Sequence, residues 1–481
     1  MGYCYMPENS FTVKKCDGTL VFNDLGGFQT RNKSTMWCIE EANKIYNWSD
    51  FEEMTICTWD FENSNNDYTF SKTCSYNNLV PDFNFHAWPE VGINDYTEFI
   101  NEIDIAGSQD YEINKVGWIG NINTHHFREK LLEIGNNNPS LFEFFNCGNW
   151  INKTNTIKLT PDVFISTSEL VKKYSMIIDV EGNGYSGRLK HLLWSHRPLL
   201  LVDRPHKEYF FEYLKEWEHY IPVNRDLSDL IEKTKWCLDN YEKALQIAEN
   251  AYQFSKIHLT RSACYNKWNN IITKNTMVNI IKNIPNVNTY PLTYVFENIR
   301  LQHKPNTLWL EFGTAGGGTI NYISKFTTDK VYGFDSFEGL PEKWRDGFDK
   351  GAFSRNGNLP QVNNNVVLIK GWFNETLLNF ITLQNKKVSF IHMDADLYSS
   401  TKYIFDVLKD YIDTDCIIVF DELVNYPGFD GDTGELKAFY EFISENTVDY
   451  EWIGMNGVPT GMSGYYHENV ALIIHSIHNN I

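Results

Sequence analysis

The chain has 481 residues, 42% of them hydrophobic and 15% aromatic, enough to bury substantial cores in two or three globular domains. A formal charge of -20 and a pI ≈ 5.1 oppose the polyanionic backbone of nucleic acids and anionic lipid surfaces, so neither is expected as a partner. Nine cysteines without a Cys-x-x-Cys pair, no basic-then-apolar leader at Met1-Gly2-Tyr3-Cys4-Tyr5 and no apolar run of membrane-spanning length point to free thiols, no transmembrane segment and a cytoplasmic setting.

Residues 1–80 are aromatic, rich in asparagine and poorly periodic, with strand-like pieces such as Gly18-Thr19-Leu20-Val21-Phe22. They are expected to form the outer part of a first module and carry no assignable role. From Tyr174 the pattern sharpens. Tyr174-Ser175-Met176-Ile177-Ile178-Asp179-Val180 reads as a buried strand, Glu181-Gly182-Asn183-Gly184-Tyr185-Ser186-Gly187 as a glycine turn, and Arg188-Leu189-Lys190-His191-Leu192-Leu193 as the start of a helix. Amides at such a helix start, with Ser186 and a guanidinium beside them, suit a diphosphate. A further strand, Pro198-Leu199-Leu200-Leu201-Val202, follows, and amphipathic helices run from about Leu227 to Ala251 and beyond.

A helix-rich connection, residues 276–304, holds Pro285 and Pro291 and leads into a second α/β pattern over 305–481. There Thr307-Leu308-Trp309-Leu310-Glu311-Phe312 is an apolar strand, Gly313-Thr314-Ala315-Gly316-Gly317-Gly318 a glycine turn, and Ile320 to Phe326 a helix. The next strand, Lys330-Val331-Tyr332-Gly333-Phe334, ends in Asp335, about twenty residues on, where a nucleoside-binding α/β fold places a carboxylate for ribose hydroxyls. Two acidic clusters, Asp394-Ala395-Asp396 and Asp421-Glu422, each follow a strand-like apolar run. Both therefore sit at the sheet edge where ligands bind. Four carboxylates gathered there favour a hard divalent cation such as Mg²⁺.

These segments carry two family resemblances. Glu311-Phe312-Gly313 with Gly317 looks like the first motif of class I S-adenosylmethionine-dependent methyltransferases. Gly333-Phe334-Asp335-Ser336-Phe337-Glu338-Gly339-Leu340-Pro341, Asp394-Ala395-Asp396-Leu397-Tyr398 and Asp421-Glu422 resemble the macrocin-type sugar O-methyltransferases. The likeness covers about residues 290 to 481. It implies a Rossmann-like domain whose cofactor contacts are Glu311, Gly313, Gly317 and Asp335. It also implies that Asp394, Asp421 and Glu422 hold Mg²⁺ while Asp396 is the base. The usual second member of the later pair is Asp, so Glu422 departs from the pattern.

The run from Tyr174 through Lys190, then Trp217-Glu218-His219-Tyr220-Ile221-Pro222-Val223 and Asp226-Leu227-Ser228-Asp229-Leu230, is similar to the CAP10-like protein O-glucosyltransferases and xylosyltransferases. This likeness implies a two-lobed, GT-B-like module over residues 81–275 that inverts a UDP-sugar of glucose or xylose type without metal. Ser186 and Arg188 would contact the diphosphate. Gly117-Trp118-Ile119-Gly120-Asn121 followed by Arg128 matches a nucleotide-side segment of that family, with Asn121 in place of Ser. The family's base motif falls on Asn84-Phe85-His86-Ala87-Trp88-Pro89-Glu90, which puts Ala87 where Asp is expected and leaves His86, Glu90 or Asp95 as substitutes.

The whole reads as a bifunctional transferase that adds a sugar to a glycan or glycoprotein acceptor and methylates a sugar hydroxyl. The alternative is a methyltransferase fused to an inactive, lectin-like domain. Such fusions suit viruses and microbes that build their own surface glycans, so a host cytoplasm or a virion is an expected setting.

Overall fold

The computed structural model divides the chain into two units, Met1–Ile272 and Thr273–Ile481. It describes residues 9–61, 68–73, 76, 78–147, 150–153, 156–159, 165–429, 431, 433–456 and 468–479; the start at Met1–Tyr5 lies outside them.

The first unit has two lobes. The amino-terminal lobe holds a four-stranded sheet of β1 (Ser10–Cys16), β2 (Thr19–Asp24), β3 (Phe51–Cys57) and β4 (Tyr68–Thr69), in the order β2-β1-β3-β4. Phe11, Val13 and Ile56 of that sheet are fully buried with Ile39 and Ala42 of the helix Gln29–Tyr46. The second lobe is a parallel sheet of β5 (Ile113–Gly120), β6 (Phe142–Asn146), β9 (Tyr174–Asp179), β10 (Leu199–Val202) and β11 (Ile221–Val223), in the order β11-β10-β9-β5-β6. A separate hairpin pairs β7 (Trp150–Lys153) with β8 (Thr156–Leu159). Every residue of β9 and β10 is buried, as expected of central parallel strands covered on both faces. The chain leaves β5 in one direction for β6 and in the other for β9, so the crevice at Gly120 and Asp179 is a switch point, the usual ligand position in such sheets.

The helix expected after the glycine turn is a single turn, Leu189–Leu192, with Arg188 preceding it. A dipole that short adds little, so charge at this turn comes from side chains. Lys190 points inward and is fully buried, with Nζ 2.9 Å from Asp82 Oδ2 and 3.1 Å from Glu208 Oε1. Burial pushes the Glu208 carboxyl up, and Lys190 partly offsets it. The triad ties the glycine turn to the loop at Asp82, where Asn84 also contacts Gly187 O at 3.3 Å.

The second unit is one eight-stranded sheet: β12 (Asn286–Val287), β13 (Leu308–Phe312), β14 (Val331–Asp335), β15 (Val366–Lys370), β16 (Val388–Met393), β17 (Ile412–Phe420), β18 (Asn446–Asn456) and β19 (Val470–Asn479). The order is β12-β18-β19-β17-β16-β13-β14-β15, and β19 alone runs against its neighbours. This is the Rossmann-like α/β arrangement expected, with its switch point between β13 and β16. Residues 276–304 belong to the body of this unit. β12 pairs with β18, Ile284, Leu292, Val295 and Phe296 are buried, and the Phe296 ring lies 5.4 Å from that of Trp309. The two prolines break the helical pattern into pieces that read as a linker, yet the apolar residues between them need cover and find it on the sheet. Among the described residues, no helix is long and apolar enough to cross a membrane.

Removing Lys190 would leave Asp82 and Glu208 buried without their cation. Lys190→Ala is expected to destabilise the first unit by about 3–5 kcal/mol, read as a lowered midpoint in thermal or denaturant unfolding. An unchanged midpoint would contradict the triad.

Candidate active sites

In the second unit, strand register assembles the site. Phe312 pairs with Met393 and Phe334, and Met393 with Phe420, so Gly313, Asp394 and Asp421 leave the sheet side by side. Backbone bonds extend the ladder by one residue, from Asp394 N to Phe312 O at 2.9 Å, Asp421 N to Met393 O at 2.8 Å and Gly313 N to Phe334 O at 3.0 Å. Gly313 has φ +90°, and a Cβ there would come within 1.8 Å of the Asp394 carbonyl oxygen. Only glycine lets these two loops meet.

One carboxylate oxygen from each of Asp394, Asp396 and Glu422 lies within 4.8 Å of the others. Burial first, then Asp421 and Asp396, pushes Asp394 well up; burial, Asp421 and Asp394 do the same to Glu422. Asp396 is raised to about 7 by burial and Asp421, against an opposing pull from Arg345. Glu422 Oε2 is buried with no partner. Carboxylates that raise one another's affinity for protons are a donor set suited to a hard divalent cation.

Asp421, expected among the metal ligands, lies outside this closest group of three. Its Oδ1 accepts from the Tyr290 hydroxyl and from Asn469 Nδ2, the latter at 2.8 Å. Asp396, expected as the base, stands inside the group. It has φ +58°, and Leu397 N donates across it to Ala395 O at 2.6 Å, a strained three-residue turn. Glu435, fully buried on the helix Gly434–Glu445, holds this turn by accepting from Ala395 N at 3.2 Å and from the Thr401 hydroxyl at 3.4 Å. Nothing in the sequence marked Glu435, which lies 40 residues from Ala395 with no motif around it.

The glycine-turn side is equally ordered. Asp335 accepts from Ala315 N at 2.7 Å and Phe337 N at 2.6 Å, which fixes its carboxylate beside the turn while each oxygen keeps acceptor capacity. Gly317, φ +77°, precedes the helix Gly318–Ile323. Glu311 is fully buried, with Oε1 3.1 Å from His392 Nδ1 and Oε2 without a partner.

In the first unit, a cleft of about 960 Å³ lies against the carboxyl ends of β5 and β9. Ser186, Arg188, Arg128 and Glu90 all line it, together with Arg31 and Asp60 from the amino-terminal lobe. Ser186 donates to Asp179 Oδ1 at 2.9 Å, and Arg188 donates to Ile119 O at 2.7 Å with its other nitrogen 3.8 Å from Asp179. Asp179 is already engaged by Arg204 at 2.8 Å. Arg128 donates to the carbonyls of Glu181, Asn121 and Val180 at 2.9, 3.1 and 3.2 Å. Burial and the neighbouring Arg188 pull the Arg128 guanidinium down to about 10. Two half-buried guanidiniums that disfavour each other, with one shared-out carboxylate between them, make a site that gains from an anion.

Elsewhere in the lining, Glu90 Oε1 accepts from the Thr30 hydroxyl while Oε2 is buried with no partner. Asp95 caps the helix Tyr96–Gly107, accepting from Thr97 N and Glu98 N, and pairs with Arg261 at 2.6 Å. The His86 ring stacks on Trp37 with centroids 4.1 Å apart, and burial lowers its affinity for protons. Ala87 is buried. Asn121 caps the turn Ile122–Thr124 by accepting from Asn123 N at 2.9 Å. Arg31 stands in the cleft with its guanidinium 4.4 Å from the Phe28 ring and 2.8 Å from Asp60, in a region without legible periodicity.

Comparison with known proteins matches residues 28–288, more than half of the chain, to the model of "Glycosyl transferase family 90", and residues 310–423 to a "Methyltransferase domain". The first match begins within the amino-terminal lobe. Protein 035R of Invertebrate iridescent virus 3 is 32% identical over 153 residues, 29% of this chain and 14% of that protein. Protein O-glucosyltransferase 2 of Danio rerio is 34% identical over 110 residues, 23% of this chain and 22% of that one. The chain thus spans less than a quarter of either relative. A solved structure, the O-methyltransferase NovP, is 20% identical with a TM-score of 0.26, covering 44% of this chain and 81% of that one.

Gly313→Ala, which sets a Cβ against the Asp394 carbonyl at a left-handed φ, is expected to cost the second unit about 1–3 kcal/mol, read as a lowered unfolding midpoint. A variant as stable as the parent would contradict the close approach.

Proposed function

Because the chain belongs to glycosyl transferase family 90 and carries a methyltransferase domain, we propose that it transfers a sugar from a UDP-sugar and methylates a sugar hydroxyl with S-adenosylmethionine. The observation that carries this reading is that each unit gathers its charged residues at its own switch point: guanidiniums in the first, carboxylates in the second.

In the first unit, Arg188, Arg128 and Ser186 take the diphosphate of a glucose- or xylose-type donor. Their charge counts most as negative charge builds on the departing diphosphate. Glu90, which lines the cleft and is held through Oε1 by Thr30, removes the proton of the acceptor hydroxyl, the task Ala87 is unable to perform.

In the second unit, Glu311, Gly313, Gly317 and Asp335 form the cofactor side. Glycine lets a ligand approach the backbone at the turn, and Asp335 offers its remaining acceptor capacity to ribose hydroxyls. Asp394 and Glu422, with Asp421 at the end of the next strand, would hold Mg²⁺, which when bound lowers the cost of a developing alkoxide. Asp396, beside that set, is placed to accept the hydroxyl proton, and Glu435 keeps its strained turn in position. S-adenosylmethionine supplies the methyl group, so no covalent intermediate with the chain is required.

The second reading, a lectin-like first unit, rests on Ala87 alone. UDP release from a UDP-sugar by the wild-type chain separates the two: release supports transfer, and glycan binding without any UDP release supports the lectin.

Arg188→Ala is expected to reduce sugar transfer by about 10²-fold or more while weakening UDP binding less, with Arg188→Lys a poor rescue. Glu90→Gln should lower turnover by about 10² to 10⁴ at unchanged UDP affinity. Calorimetric UDP titration beside a donor-hydrolysis assay measures both, and unaltered UDP affinity and turnover in Arg188→Ala would remove the site. For methyl transfer, excess chelator and Asp394→Ala should each abolish most activity while S-adenosylmethionine still binds. Full activity in chelator would exclude the metal.

A further inference from the structure

Beside the carboxylate group of the second unit sits a guanidinium, that of Arg345. Arg345 lies in a short hairpin closed by Trp344 N to Phe348 O at 3.0 Å and Phe348 N to Arg345 O at 2.9 Å. Its guanidinium is boxed by aromatic rings, 3.9 Å from the Trp344 centroid, 4.8 Å from Phe348 and 5.6 Å from Tyr426. It is near enough to Asp396 and Glu468 to favour their charged forms. Among the described residues, however, no carboxylate comes within ion-pair distance of it.

Its hydrogen bonds are also unmet. Nη1 reaches only Pro427 O, at 3.5 Å, and Nε is buried with no partner. The indole Nε1 of Trp344 in the same box is buried and unpartnered as well. A guanidinium Nε buried without an acceptor is costly to keep, and so is a buried indole N–H. Both costs are recovered if a ligand brings the missing oxygens, and a planar guanidinium held between rings is well suited to a carboxylate or phosphate. The surrounding charge sharpens the argument. In a chain of net charge -20, next to four carboxylates, an anionic ligand has to be admitted by a specific cation.

We infer that Arg345, with the Trp344 indole N–H, anchors an oxyanion carried by the methyl acceptor, so that the second unit acts on a saccharide bearing a phosphate or carboxylate group. The inference rests on the sugar-methylating reading above and adds to it the class of acceptor. The oxyanion, once held, would fix the ring so that one hydroxyl faces Asp396.

The test uses the full chain, S-adenosylmethionine carrying a labelled methyl group, Mg²⁺ and three saccharides of similar size: methyl glucoside, methyl glucuronide and glucose 1-phosphate. Wild type should use at least one anionic sugar about ten- to a hundredfold better than the neutral one in kcat/KM, the difference expected of one charged hydrogen-bonded contact. Whether glucuronide or phosphate is preferred identifies the source of the oxyanion. Arg345→Ala should raise the acceptor KM by a similar factor and erase the preference. Arg345→Lys should restore part of it, and Trp344→Phe should weaken acceptor binding while keeping the box. S-adenosylmethionine affinity by calorimetry should not move in any of these variants. Equal use of neutral and anionic sugars by wild type would overturn the inference alone. So would a loss of S-adenosylmethionine affinity in Arg345→Ala at unchanged acceptor KM, which would assign Arg345 to the cofactor's own carboxylate. Methyl transfer to none of the three would remove the sugar-methylating reading and this inference with it.

Discussion

The hydrogen bond from Asp394 N to Phe312 O, 2.9 Å long, sets the acidic loop against the glycine turn, and the chemistry proposed for the second unit depends on it. It is one rung of a parallel ladder in which Met393 pairs with both Phe312 and Phe420. A slip of one residue would send every side chain of β16 to the other face. Asp394 and Asp396 would then be displaced from Glu422, and Gly313 would no longer lie under the Asp394 carbonyl. Strand register thus does the work of placement, and glycine removes the obstacle to it. The strained turn at Asp396 persists because Glu435 and the ladder hold it from two sides.

Both units bury charge, and each does so differently. In the first, Lys190 is enclosed with two carboxylates, and Asp179 is shared among Arg204, Arg188 and Ser186. Lys190 thus offsets charge inside the core, whereas Arg128 and Arg188 line the cleft. In the second, the excess is negative and faces the carboxyl ends of β16 and β17. Burial of like charges is unfavourable in the empty protein and becomes favourable only when a counter-charge arrives, which is how such sites turn desolvation into ligand affinity.

Much of this was legible in the sequence where motif and periodicity coincide. The strands ending at Phe312, Asp335, Met393 and Phe420, the glycine turn between them and the strand Tyr174–Asp179 follow from apolar runs bounded by glycine and acidic residues. Of the residues drawn from those runs, Ser186 and Arg188 line the cleft of the first unit, and Asp394, Asp396 and Glu422 stand together in the second. What was not legible depends on long-range contact. Tyr290 and Asn469 reach Asp421 from residues 131 and 48 positions away, Glu435 reaches Ala395 from 40, and Arg31 enters the cleft from a region with no readable pattern. The amino-terminal 80 residues carried no assignable role, yet they supply Thr30, Arg31 and Asp60 to one wall of the cleft. The segment 276–304 looked like a connection because prolines interrupt it, although burial of Val295 and Phe296 makes it part of the second core. Local pattern predicts strands well; it carries no record of which distant side chain will meet a carboxylate.

Joining the two proposed activities in one chain has a physical rationale: when the product of the first is the acceptor of the second, tethering raises its effective concentration at the second site. Mass analysis of a saccharide acceptor incubated with the full chain, a panel of UDP-sugars, S-adenosylmethionine and Mg²⁺ tests this account most directly. The account predicts a product carrying one added sugar and one added methyl group, with UDP released in step with the sugar. Methylated acceptor formed with no UDP released from any donor would contradict it.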